Sequence, residues 1–202
     1  MEEINLKELL KSAMEEEKEI EGIKFFSCKE ENLRIEKVEI KNSSFQNCCS
    51  RNSEFIKCYF SSVIFENCDF SNCDFSNSYF SKVKFINCKM VGANLSDTNF
   101  LNSEMKECNC TYVNFSNTDF KEMLIQNSNL SNSSMQEVNF KKTRLKDTDF
   151  IQTQFFKTKL KGIDFSECEI SGIIIDPIDL KGMIVNEMQA LELSKILGIV
   201  IK

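Results

Sequence analysis

Residues 53–85 read Ser53-Glu54-Phe55-Ile56-Lys57-Cys58-Tyr59-Phe60-Ser61-Ser62-Val63-Ile64-Phe65-Glu66-Asn67-Cys68-Asp69-Phe70-Ser71-Asn72-Cys73-Asp74-Phe75-Ser76-Asn77-Ser78-Tyr79-Phe80-Ser81-Lys82-Val83-Lys84-Phe85. Phenylalanine stands at every fifth place. Working outward, every position divisible by five from Phe55 to Val185 is apolar, 27 in a row. The frame also runs back through Phe45, Ile40, Ile35, Phe25 and Ile20, interrupted only by Ser50 and Glu30. Of the 18 Phe, all but Phe26 and Phe156 keep this beat. Two residues earlier the side chains are compact: Ser53, Cys58, Val63, Cys68, Cys73, Ser78, Val83, Cys88, Ala93 and Thr98. Eight of the ten Cys fall in that column. The other three places of each five are mostly Asn, Asp, Ser, Lys and Glu.

A period of five fits neither an α-helix at 3.6 nor a strand at 2. It suits a chain that turns a corner every five residues, with one large and one small side chain inside. One such unit exposes its apolar face, and stacking buries it. Only 6 Gly and one Pro occur, so the corners must be made by other residues.

Ala93-Asn94-Leu95-Ser96-Asp97, Cys73-Asp74-Phe75 and Thr118-Asp119-Phe120 resemble the pentapeptide-repeat family, whose pattern is Ala-(Asp/Asn)-(Leu/Phe)-X-X. The resemblance implies an all-β solenoid, a right-handed quadrilateral β-helix with 20 residues per coil. Every twentieth residue then shares a wall. One such column is Cys28, Cys48, Cys68, Cys88 and Cys108, followed by Ser128, Thr148 and Cys168; another is Phe60, Phe80, Phe100, Phe120 and Phe140. Both are expected as core ladders. The expected division is an N-terminal capping helix in 1–24, the β-helix in 25–185, and a C-terminal dimerisation helix with its tail in 186–202.

Open solenoid ends need caps. Asn5 to about Glu21 reads as a helix with capping-box spacing between Asn5 and Glu8 and an apolar stripe of Leu6, Leu9, Leu10, Ala13 and Met14. It is either a lid on the first coil or a partner-binding helix. Glu30 and Ser50 mark either irregular first coils or the start of a bulge. At the other end, Asn186 and Gln189 repeat the capping spacing before a helix with two apolar sides. Met188, Leu191 and Ile196 lie on one side, Ala190, Leu193 and Leu197 on the other. One side can rest on the last coil, leaving the other exposed with Ile199, Val200 and Ile201. A two-fold homodimer is expected through Met188, Leu191, Leu193, Ile196, Leu197, Ile199, Val200 and Ile201.

Asp179-Leu180-Lys181-Gly182, Gln189-Ala190-Leu191 and Leu197-Gly198-Ile199-Val200-Ile201 are similar to the ends of Qnr/MfpA-type quinolone-resistance proteins. That likeness implies a dimeric rod of DNA-like width that occupies the DNA-binding saddle of DNA gyrase or topoisomerase IV. A scaffold for an unrelated protein is the alternative. The frame from Phe55 to Val185 never slips, so it leaves no room for projecting loops.

The formal charge of −6 is uneven. Residues 1–40 carry 12 acidic and 7 basic side chains, a net of −5; residues 141–202 carry 9 and 10, a net of +1. Lys141, Lys142, Arg144, Lys146, Lys157, Lys159 and Lys161 form a basic patch, but the net acidity and the lack of a nucleic-acid motif weigh against direct nucleic-acid binding. There is no His, no Gly-rich phosphate loop and no nucleophile–base pair, so neither an enzyme nor a cofactor is expected. Ladder thiols on a flat wall do not converge as zinc requires, so no metal is expected either. Cys49, beside Cys48, is expected outside the tube. The acidic start, Met1-Glu2-Glu3-Ile4, is unlike a secretory signal, and no apolar run is long enough to span a membrane. The expectation is a cytoplasmic chain with no membrane partner.

Overall fold

The computed structural model describes residues 5–200. The chain winds into a parallel β-solenoid with a short helix at each end. Four walls follow one another in each coil. The first wall is a seven-stranded sheet from Ile20–Glu21 through Glu39–Lys41, Tyr59–Ser61, Tyr79–Ser81, Asn99–Leu101 and Asp119–Lys121 to Asn139–Lys141. The second, also seven-stranded, runs from Lys24–Phe26 to Arg144–Lys146. The third is a column of single bridges from Lys29–Cys49 to Asp149–Glu169, and the fourth begins as the pair Arg34–Glu36 and Glu54–Ile56 and continues as bridges to Gln154–Ile174. Every pairing is twenty residues apart, as in Phe60 with Phe80 and Phe85 with Met105.

The corners explain how so few glycines suffice. Among the described residues a left-handed backbone occurs in 27 non-glycine residues, all at positions ending in 2 or 7, and 12 of them are Asn. Asparagine tolerates this region better than other side chains with a Cβ. Along the third and fourth walls the corners close as β-turns: Cys73 N–H donates to Phe70 O at 3.1 Å, with Asn72 at φ 57° in the position where a type II turn needs positive φ. Gly92 takes the same left-handed corner at φ 68°, and Asn72 Oδ1 lies 2.7 Å from where a Cβ at 92 would stand.

Inside, the large residues stack. Phe60 and Phe80 lie 5.0 Å apart and nearly parallel, Phe80 and Phe100 4.6 Å apart, and the column continues through Phe120 to a half-buried Phe140. Each fully buried Phe contributes about 1.5–3 kcal/mol of apolar transfer. The compact column has its own task. Ser78 Oγ donates to Phe55 O and Thr118 Oγ1 to Leu95 O, each at 2.8 Å; Cys68, Cys88 and Cys108 reach the equivalent carbonyls at 3.4 Å. A hydroxyl or thiol thus ties each coil to the one beneath.

The first helix, Leu6–Glu15, buries Leu6, Leu10 and Ala13. It is shorter than the sequence suggests: the first coil begins at Ile20, paired with Ile40, so the boundary at 24 moves back. Neither irregularity nor a bulge accompanies Glu30 and Ser50, because the register passes straight through both. Leu6, Leu10 and Ser50 share the lining of a residual cavity of only about 10 Å³. The lid's leucines occupy the space that a larger residue at position 50 would take. The helix is therefore placed as a lid.

The second helix, Glu187–Ser194, starts at a complete capping box between Asn186 and Gln189. Gln189 Nε2 donates to Phe165 O at 2.8 Å, which also takes the turn bond from Cys168 N–H, and to Cys168 O at 2.6 Å. This fixes the helix orientation. Its inward face is Gln189, Leu193 and Ile196, so Leu193 and Ile196 pack on the tube and not on the expected outer surface.

Candidate interaction surfaces

The walls present outward side chains in straight files, so any site on them is a strip and not a cleft. Three surfaces stand out.

The first is apolar and terminal. Among the described residues, ten of the thirteen exposed large apolar side chains lie at or beyond Ile151. Met188 is 74% exposed, Leu191 45%, Leu197 55%, Ile199 54% and Val200 82%. Ile178 and Ile184 are exposed near them in sequence. Ile201, the remaining residue of the expected interface, lies outside the described residues.

The second is basic. Of the patch read from the sequence, Lys142 pairs with Glu122 at 3.1 Å and Lys157 with Glu137 at 2.9 Å. These lysines hold both carboxyls below the usual carboxylate range, mainly through the hydrogen bonds. Lys141, Arg144, Lys146, Lys159 and Lys161 make no ion pair among the described residues. The twenty-residue stride adds two members the sequence reading missed. Lys121 lies beside Lys141 in the first wall, and Lys181 comes one coil after Lys161 but out of line with it, since Gly182 stands against Lys161.

The third is a shallow groove of about 490 Å³ on the third wall, where Arg51 bridges Glu31 at 2.7 Å near Asn52, Asn72 and Lys89. Arg51 is held by Glu31 while Lys89 has no ion pair among the described residues, and Ser71 Oγ donates to Asp69 Oδ1 at 2.6 Å.

The cysteines are interior. Cys68, Cys88 and Cys108 are buried, and burial pushes the Cys58 thiol up to about 11 and the Cys73 thiol to about 12. Cys49 is half-buried, with its sulfur 3.6 Å from Glu31 Oε1. No group of three His, Cys, Asp or Glu side chains among the described residues could hold a metal ion. No helix among them is long and apolar enough to cross a membrane.

Comparison with known families matches the pentapeptide repeat region to residues 58–135 and the eight-copy pentapeptide repeats to residues 124–162 and 133–172. The chain is a pentapeptide-repeat protein. No curated protein sequence matches it. Among solved structures, this pentapeptide-repeat protein is similar to QnrB1, a plasmid-mediated fluoroquinolone resistance protein, at 20% identity over 90% of this chain and 100% of that one, with a TM-score of 0.41. A pentapeptide-repeat protein of the Arabidopsis thaliana thylakoid lumen matches 46% of this chain and 65% of its own at 22% identity, TM-score 0.44. HetL of Nostoc, involved in heterocyst differentiation regulation, matches 90% and 94% at 12% identity, TM-score 0.34. At such identities the likeness concerns the fold alone.

Proposed function

We propose that this pentapeptide-repeat protein is a non-enzymatic binding rod that dimerises through its C-terminal helix and tail and engages a bacterial type II topoisomerase. The observation that carries the dimer is the gathering of exposed apolar side chains at one end of an otherwise polar tube. Met188, Leu191, Leu197, Ile199 and Val200 form its interface, while Leu193 and Ile196 hold the helix to its own tube. The C-terminal resemblance to Qnr/MfpA-type proteins motivates the partner, DNA gyrase or topoisomerase IV. Its consequence would be lowered quinolone susceptibility in the cytoplasm. The acidic side chains of the first coils that make no ion pair among the described residues, Glu21 and Glu36, are the part of the rod that stands in for DNA phosphates, whereas Glu19 and Glu39 share Lys41.

The mixed charge of the walls favours a second reading, a scaffold for an unrelated protein. Supercoiling and quinolone-cleavage assays with purified gyrase separate the two. The topoisomerase reading expects inhibition or protection at micromolar dimer. No effect, together with no binding to either gyrase subunit, leaves the scaffold. Sedimentation of Met188→Lys with Leu191→Lys is expected to give a monomer with unchanged circular dichroism, and a persisting dimer removes the interface.

A further inference from the structure

The first wall combines two features that the sequence scatters over a hundred residues. Tyr59 and Tyr79 stack outside the tube with ring centroids 5.0 Å apart and planes 4° from parallel. The next residue in their file is Asn99, so the stack stops and one face of Tyr79 has no ring against it. A groove of about 240 Å³ opens there, lined by Tyr79, Asn99, Leu101, Lys121, Asn139 and Lys141. Beyond it the file of lysines continues. Lys121 and Lys141 are register partners, and the sheet of this wall ends with them. In the next coil Lys159 lies beside Asn139 and Lys161 two residues on, whereas Lys181 leaves the file, because Gly162 N–H donates to Gly182 O and Gly182 sits over Lys161. Lys121, Lys141, Lys159 and Lys161 are exposed, and none has an ion pair among the described residues. Asp119 and Asp179 are the acids of this strip, and Asp119 accepts a hydrogen bond from Asn139 Nδ2 at 3.0 Å.

We propose that this strip is a track for a single-stranded nucleic acid, with an unpaired base on the open face of Tyr79 and the following phosphates along Lys121, Lys141 and Lys161. The lysine file spans two coil steps, about 10 Å at the sheet spacing, which covers about two nucleotides. An aromatic face beside a basic file is the combination that holds single strands without reading sequence. A duplex offers no free base to Tyr79, and the flat wall projects no helix or ribbon into a groove. The net acidity of the chain does not oppose this, because its excess lies in residues 1–40 at the other end.

The test is fluorescence anisotropy of the full chain with a labelled oligo-dT of about twenty nucleotides, which is long enough to span the strip. Binding that weakens linearly with log salt is expected. Lys121→Glu with Lys141→Glu and Lys161→Glu should weaken it at least about tenfold and reduce the salt slope by about 2. The same number of reversals split between the strip and the far end, with Lys24→Glu and Lys29→Glu replacing two of the three, should weaken it less. Tyr79→Ala should cost about tenfold with an unchanged salt slope, since stacking releases no counterions. Absence of binding at low salt overturns the track. So does equal affinity for duplex with no effect of Tyr79→Ala, which would leave charge alone. A poly-glutamate peptide held more tightly than the oligonucleotide by the same lysines would overturn it in favour of an acidic protein. None of these variants touches the C-terminal helix, so a failed track leaves the dimer and topoisomerase readings standing.

Discussion

At the level of single residues, the position that turns each corner carries the strain and the position two before the large residue carries the ties. Asn67 sits at φ 53°, and its amide joins a file with Asn47 at 3.2 Å and Asn87 at 2.8 Å. Asn67→Ala removes both amide contacts and leaves a left-handed Cβ residue, so it should destabilise the tube by about 1–2 kcal/mol. Asn67→Gly, which relieves the strain, should cost less; urea titration ranks the two, and the reverse order would refute the role of the left-handed corner. Ser133 presents the opposite case. Its hydroxyl is buried without a partner, unlike Thr153 one coil on, which donates to Leu130 O at 2.9 Å. Ser133→Ala should therefore raise stability by about 1 kcal/mol, and a loss of that size would mean the hydroxyl has a partner. The large residues were legible in the sequence because nothing else puts Phe at every fifth place. The corners were not, because Asn at positions ending in 2 and 7 looks like any other polar surface until the backbone shows why it is there.

At the level of elements, both ends are closed by helices that borrow from the core in different ways. The first inserts leucines: Leu10 is 1% exposed over the coil that Ser50 leaves open. Leu10→Ala should cost about 2–5 kcal/mol, read by denaturant titration. A cost below about 0.5 kcal/mol would mean the helix is not a lid. The second end is closed chiefly by one amide. Gln189→Leu keeps the volume but takes the side-chain donor from Cys168 O and leaves Phe165 O only its turn bond from Cys168 N–H, and hydrogen exchange of the helix should accelerate relative to the tube. The sequence marked the capping box at Asn186 and Gln189 correctly. It could not show that the same Gln side chain also reaches back to the tube, so the wheel set Leu193 and Ile196 on opposite sides, left open which side meets the tube, and counted both in the dimer interface, whereas both face the tube. An apolar count decides a wheel only when no buried amide fixes the rotation.

At the scale of the whole molecule, the interior is a dry column in which thiols must stay neutral. Burial raises Cys58 and Cys168 to about 11 and Cys73 to about 12. A raised thiol pKa in the folded state means that stability is complete below pH 9 and is lost as the pH climbs from 9 through 11 to 12. In that window the unfolded chain releases protons that the folded chain retains. Thermal unfolding is expected to shift to lower temperature across it. Cys58→Ala with Cys73→Ala and Cys168→Ala should lessen the slope, with the likewise raised Cys48, Cys88 and Cys110 carrying the remainder, and an unchanged slope in that triple variant would assign the alkaline loss elsewhere. The basic strip also belongs to this scale. Its members at 121, 141 and 161 are unremarkable one by one, and only the stride of twenty brings them to one wall.

A circuit of four equal sides makes the molecule a ruler with discrete settings. Inserting twenty residues in frame would copy one storey, lengthen the distance between the two caps by about 4.8 Å and keep every file in line. Inserting five would leave the interior equally well filled but rotate everything downstream by a quarter turn. The lysines would then face a different compass point from the acidic first storeys. Relatives that differ by multiples of five but not of twenty would thus share one core and present different combinations of surfaces to whatever they meet.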